Sequence, residues 1–184
     1  MLVHTTLRAL SVLTELFERA ASFEGRPRER LLALAEAEEL FFRLHPYHYR
    51  ALQLIRIAAQ VAQPPVRRDS LARCESRRIA LLTDVIRDAV RANDLVFGTD
   101  RRPEDLAFTL WSLAFGTRAL MNTQVAISQL GICNGFETAR GFADDLMDAL
   151  GWRPLACHWD YERTRARIRR ELFPEQAQQL RIVP

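Results

Sequence analysis

Helix-breaking residues divide this chain into long uninterrupted segments, and their spacing limits what it can fold into. Only seven glycines and eight prolines occur in 184 residues, and most stand between runs rich in alanine and leucine. An all-β sandwich or barrel needs turn signals every 8–12 residues or so, whereas alanine and leucine favour helices. The pattern predicts an all-α fold, a helical bundle, and the length suits a single domain over residues 1–184.

Apolar residues at helical spacing predict about seven helices and no strand. Pro27 stands at a first-turn position, and Asn134 with Glu137 three residues later resembles a capping box. His45 should end the second helix, because Pro46 disfavours a helical conformation at the residue before it. The predicted helices cover about residues 5–23, 27–44, 46–63, 69–93, 103–130, 135–150 and 159–173.

The charge of the chain gives little support to nucleic-acid binding. All 26 basic residues are arginines, but 23 acidic residues leave a formal net charge of only +3. The one dense basic run, Arg163 to Arg170, contains Ile168 in an apolar seam and is interpreted as a surface helix rather than a phosphate-binding segment. We therefore expect no specific DNA binding by these 184 residues alone.

Cysteine usage and the first residues of the chain predict a cytoplasmic protein. The three cysteines are far apart and form no CxxC pair, which is typical of reduced thiols. Glu15 interrupts the first apolar run, so the start does not resemble a signal peptide. Leu106 to Phe136 carries a single charge, Arg118, but too many amide and hydroxyl groups for a membrane span.

Patterns that would indicate a metal site or catalysis are weak. Asp144, Asp145 and Asp148 reproduce a DDxxD pattern, but they lie opposite an apolar face and are interpreted as a solvated acidic surface. His45 and His48 flank a helix break and lack the i, i+4 spacing of paired metal ligands. No phosphate-binding loop, nucleophile elbow or zinc-protease motif occurs. We predict no metal, no cofactor and no catalytic residue.

Aromatic residues on three predicted helices, some of them next to His45 and His48, suggest a ligand pocket. Ordinary core packing explains the aromatics equally well, and both interpretations stay open at the level of sequence. A pocket with this lining would take a mainly apolar small molecule, with His45 or His48 as its polar anchor. The predicted ligand-binding residues are Phe42, His45, His48, Tyr49, Leu52, Ile86, Trp111 and Phe115.

An uncharged helical stretch predicts a homodimer. Ala119 to Leu130 is uncharged around its whole circumference, so packing within one chain would leave part of its apolar surface exposed. Together with the helix that follows Asn134, this stretch would form a four-helix bundle with a second copy. The predicted interface residues are Val125, Ala126, Ile127, Leu130, Phe136, Ala139, Phe142, Ala143 and Met147.

Four sequence segments, in this order and at this spacing, resemble segments of a known family. They are Gly25 to Leu34 (GRPRERLLAL), Leu40 to Pro46 (LFFRLHP), Pro103 to Leu113 (PEDLAFTLWSL), and the tail Gly151 to Tyr161. Over nearly the whole chain they resemble the effector domain of TetR/AcrR-family transcriptional regulators. The helix over 5–23 resembles the one that connects this domain to a DNA-binding unit in the family.

The resemblance implies the ligand-sensing and dimerising domain of a transcriptional regulator, a repressor released by a small molecule. The family places a three-helix DNA-binding unit before the connecting helix, and these 184 residues contain no matching segment. DNA would therefore be contacted only through a helix-turn-helix that this chain does not include. The alternatives are a stand-alone dimerisation or binding module without DNA binding and, with less support, a small helical enzyme.

Overall fold

A computed structural model describes residues 2–58, 65–122 and 125–182. Over these residues the chain contains nine α-helices, one 3-10 helix and no strand, which confirms the predicted all-α fold. The α-helices are α1 (Leu2–Ala21), α2 (Pro27–Leu44), α3 (Pro46–Ala58), α4 (Pro65–Arg91), α5 (Pro103–Met121), α6 (Val125–Gln129), α7 (Gly135–Ala149), α8 (Tyr161–Glu171) and α9 (Pro174–Ile182). The 3-10 helix, Ala156–His158, lies between α7 and α8.

Local signals set the helix boundaries much as the sequence predicts. At the start of α2, the Glu29 carboxylate accepts a hydrogen bond of 3.0 Å from the backbone N–H of Arg26. Before α7, the Asn134 side-chain oxygen accepts one of 3.3 Å from the N–H of Glu137. These side chains satisfy N–H groups that have no partner within the helix, which confirms the predicted starts. After α7, Gly151 adopts a φ of +69°, a conformation that favours glycine.

Three parts of the fold differ in detail from the prediction, and the first is the start of α4, which is at Pro65 and not at residue 69. The long helix expected over 103–130 is described as α5 and α6, with Asn122 in a turn and residues 123 and 124 outside the description. The polar tail forms α9, because Pro174 at the first helical position and Glu175 in the first turn favour a helix start.

The chain divides into two compact units, Met1–Leu82 with Glu162–Pro184 and Thr83–Tyr161. In the first unit, α1 packs against α2 and α3, and α2 also packs against α9. In the second unit, α5 packs against α6 and α7. The sequence predicts one domain over 1–184, and each unit is described by itself below.

The arginine-rich α8 lies against α2 within the first unit. Arg165 Nε and Arg169 Nε each approach a Glu36 carboxylate oxygen at 2.7 Å, one from either side. Ile168, between these two arginines, is fully buried. Arg167 hydrogen-bonds the Glu24 carbonyl oxygen. The basic run is therefore a helix laid on the body of the unit, as the sequence predicts.

Candidate functional site

Helix α5 has an inner and an outer side, and both are rich in apolar residues. Only Leu106, Ala107 and Arg118 are buried. On the outer side, the Phe108 side chain is 67% exposed and the Leu120 side chain is 53% exposed. Isolated exposed apolar residues are common on monomers, but large ones clustered along one helix mark interaction surfaces.

The outer side of α5 has a floor of small residues with large residues beside it. At about 100° per residue, Ser112, Gly116 and Ala119 lie on the same side of the helix. Phe108 and Phe115, seven residues apart, flank this floor on one edge, and Leu120 flanks it on the other. A surface of this shape is suited to receiving another helix, because ridges on one helix pack into grooves on the next.

The outer side of α5 also lacks charge beyond its first turn. The only ionised side chains of the helix are Glu104 and Asp105 at its start and Arg118 near its end. Arg118 is turned inward at 4% exposure, and its guanidinium lies 5.9 Å from the centroid of the Phe136 ring. A second molecule that approaches this side would meet no formal charge between Leu106 and Met121.

Helices α6 and α7 add two further exposed apolar side chains to the second unit. Leu130, just after α6, is 71% exposed, and Phe142 on α7 is 67% exposed. Phe136 and Met147, also predicted at the interface, are buried within the unit. We call Phe108, Leu120, Leu130 and Phe142 the exposed apolar set.

The remaining predicted interface residues are intermediate in exposure or outside the description. Ile127, Ala139 and Ala143 are half-buried. Val125 and Ala126 lie in α6, but their side chains are outside the described part of the chain. The sequence analysis does not assign Phe108 to the interface. The available signal was its spacing of seven residues from Phe115, on the side opposite the buried Leu106.

The predicted ligand residues fall in both units, and five of them lie around the α2–α3 junction of the first. Tyr49 and Leu52 are buried, whereas Phe42, His45 and His48 are half-buried. The Tyr49 ring meets the Phe42 ring edge-on, with centroids 5.1 Å apart. The His45 and His48 ring centroids are 5.7 Å apart. The Phe41 ring centroid lies 5.2 Å from that of His45 and 6.4 Å from that of Tyr49, so the rings of Phe42, His45, His48 and Tyr49 form one cluster through Phe41.

A buried carboxylate that the sequence analysis did not single out lies beside this cluster. The Tyr49 hydroxyl donates a long hydrogen bond of 3.5 Å to a Glu38 carboxylate oxygen. Burial lowers the pKa of His45, and the neighbouring His48 lowers it further. The ring of His45 is therefore neutral at pH 7, able to donate one hydrogen bond and accept another.

The other three predicted ligand residues belong to the second unit. Ile86 on α4 is fully buried, and Trp111 and Phe115 on α5 are half-buried. A surface hollow of about 300 Å³ also lies in this unit, and none of the three residues lines it. Its lining consists of Val96, Phe97, Gly98, Thr99, Asp100, Arg101 and Leu150.

Of the three aspartates in the DDxxD pattern on α7, Asp148 has a structural role. Both carboxylate oxygens of Asp148 accept hydrogen bonds from the backbone N–H of Ala156, at 3.0 and 3.1 Å. These bonds hold the start of the 3-10 helix against the end of α7. Within the described ranges, no three histidine, cysteine, aspartate or glutamate side chains are grouped so as to hold a metal ion.

Comparison with family models, with curated proteins and with solved structures finds no match for this chain. In the part of the chain that the structure describes, no helix combines the length and the apolar character needed to cross a bilayer.

Proposed function

We propose that this chain is the dimerising, ligand-sensing domain of a cytoplasmic transcriptional regulator of the TetR/AcrR type, and that it acts by binding rather than by catalysis. The observation that carries the proposal is the uncharged outer side of α5 together with the exposed apolar set. A dimerising domain requires such a surface.

The size of the exposed apolar set supports a stable interface. Because a phenylalanine presents about 150–250 Å² when fully exposed, Phe108 and Phe142 each offer roughly 100 Å² or more. Leu120 and Leu130 add a comparable area. A standard interface needs about 800 Å² per partner, so these four side chains supply around half of that before their half-buried neighbours are counted.

The chemistry of the surface favours a second copy of the same chain as partner. In a two-fold interface, residues near the axis face their own equivalents, so a formal charge there would be repelled by its copy. The outer side of α5 avoids this cost, because Arg118 is turned inward. It also offers no charge with which to select a differently charged partner.

Within this proposal, a small, mainly apolar effector controls the regulator by shifting populations. An effector that binds one arrangement of the dimer more tightly than another favours that arrangement and, for a repressor, releases the DNA. The ring cluster around Tyr49 and His45 supplies aromatic surface and a neutral imidazole, which suit a ligand with few polar groups.

Light scattering after gel filtration tests the proposal. We expect about twice 21.2 kDa for the unmodified chain at micromolar concentration. Phe142→Arg should shift the mass to about 21.2 kDa with unchanged helical content, because the side chain is exposed and the change leaves the core of the unit intact.

Val96→Arg provides the matched control. Val96 is also exposed, at 74%, but it lies in the loop between α4 and α5 and not on α5, α6 or α7. We expect this variant to stay dimeric. A folded monomer for the unmodified chain would contradict the proposal, as would equal effects of the two arginine substitutions.

A further inference from the structure

Gly116 lies inside α5, where nothing within the described chain calls for a glycine. Apart from proline, glycine is the least favourable residue in a helix interior. A Cβ added at Gly116 would meet no atom within 4 Å, and its φ is not in the left-handed region. The packing of this chain and the local backbone would therefore both accept alanine or a larger residue at this position.

The position of Gly116 provides a reason for its small size. Along the helix axis, it lies between Ser112 and Ala119 in the small-residue floor on the outer side of α5. Large apolar side chains stand on both edges of that floor. A glycine at such a point allows the backbone of an approaching helix to come closer than any side chain would permit.

We infer that Gly116 is the point at which α5 crosses α5 of a second copy, with the two glycines facing each other near the two-fold axis. This inference rests on the proposed dimer and specifies where its helices meet. The second copy is the occupant because the floor is uncharged and self-complementary, and because the area of the exposed apolar set suits a dimer. The edge residues Phe108 and Leu120 then pack against the sides of the opposing helix.

Enlarging the glycine tests the crossing. We expect Gly116→Leu to raise the dimer dissociation constant at least 100-fold, measured by sedimentation equilibrium, because the added side chain separates the two backbones. The helix itself should tolerate the change, since the space around the position is open. Gly116→Ala, which adds a single methyl group, should raise the dissociation constant by a smaller factor of about 3 to 10. This variant tests the crossing even if Gly116→Leu does not fold.

Gly141 on α7 offers a matched control. Like Gly116, it lies in a helix interior with nothing within 4 Å of an added Cβ, although Gly141 is exposed and Gly116 is half-buried. It lies about 100° around α7 from Phe142, on the side that carries Glu137 and Asp145. Gly141→Leu should leave the dissociation constant within about threefold of the unmodified value.

Disulfide trapping gives a second readout that does not depend on affinity. Under mild oxidation, Gly116→Cys should form a disulfide between two copies of residue 116, identified by mass spectrometry of tryptic peptides, because facing positions at a close crossing come within bonding range. Gly141→Cys should not form the equivalent link.

The outcomes separate this inference from the dimer itself. A dimer that Phe142→Arg dissociates, but that Gly116→Leu leaves unchanged and that shows no disulfide at position 116, would overturn the crossing while the dimer stands. An unmodified chain that is monomeric would overturn both.

Discussion

Helices α2 and α5 are nearly equal in length, but the charged helix α2 is mostly buried and the apolar helix α5 is mostly not. Helix α2 buries eleven of its 18 residues, including Arg28, Glu29, Glu36, Glu38 and Glu39. Helix α5 carries only three ionised side chains yet buries just three of its 19 residues. Burial in this chain therefore depends on whether a suitable partner element exists, and not on polarity alone.

Two of the buried carboxylates of α2, Glu29 and Glu36, meet complementary groups on α8. Glu36 lies between Arg165 and Arg169, and the Thr164 hydroxyl donates a 3.3 Å hydrogen bond to Glu29. Burial nevertheless raises the pKa of Glu36, which means that desolvation outweighs the attraction of the two arginines. For the outer side of α5, the described residues of this chain offer no comparable cover.

The largest expected loss of stability comes from truncating a buried phenylalanine on α2, and an exposed phenylalanine on α5 provides the comparison. Phe41 on α2 is 1% exposed, so Phe41→Ala should lower the free energy of unfolding by about 3–5 kcal/mol. Phe108→Ala should change it by no more than about 0.5 kcal/mol, measured by urea titration at a dilution where the chain is monomeric. A large loss from Phe108→Ala under those conditions would show that α5 is covered within the chain.

A smaller loss of stability is expected from breaking the ion pairs between α2 and α8. Glu36→Ala leaves Arg165, which is almost fully buried, and Arg169 without their shared carboxylate, and should cost about 3 kcal/mol in the same titration. Glu104→Ala, which removes the exposed partner of Arg87, is the control and should leave the unfolding midpoint unchanged. Similar losses for both variants would argue against a special role for buried charge in α2.

The smallest effect is a pH dependence that distinguishes Glu36 from exposed carboxylates. Because the pKa of Glu36 is higher in the folded than in the unfolded chain, the folded state binds the proton more tightly. Its contribution to stability should therefore rise as the pH falls through that raised pKa toward the ordinary value of 4.5, by at most about 1.4 kcal/mol per pH unit. Glu36→Gln should lack this contribution. Identical pH profiles for the two proteins, followed by urea midpoints from pH 7 to 5, would contradict the raised pKa.

Much of the fold was accessible from the sequence, because helix ends depend on residues within one turn. Pro27 and Asn134 each satisfy or remove a local N–H at a helix start, and both starts are found where predicted. The candidate site was accessible only in outline. Periodicity marks apolar stripes on α7, but it does not decide that Phe136 turns inward and Phe142 outward.

The amino-acid sequence by itself determined the all-α fold class, the positions at which several helices begin and end, and the presence of an uncharged stretch from α5 to α6. Only the tertiary structure decided which side of each helix is covered. Glu36 is buried because Arg165, far away in the sequence, returns to pair with it. Phe108 is exposed because α6 and α7 pack against the other side of α5 and no described residue covers this one. Both outcomes depend on contacts between distant residues, which local periodicity does not encode.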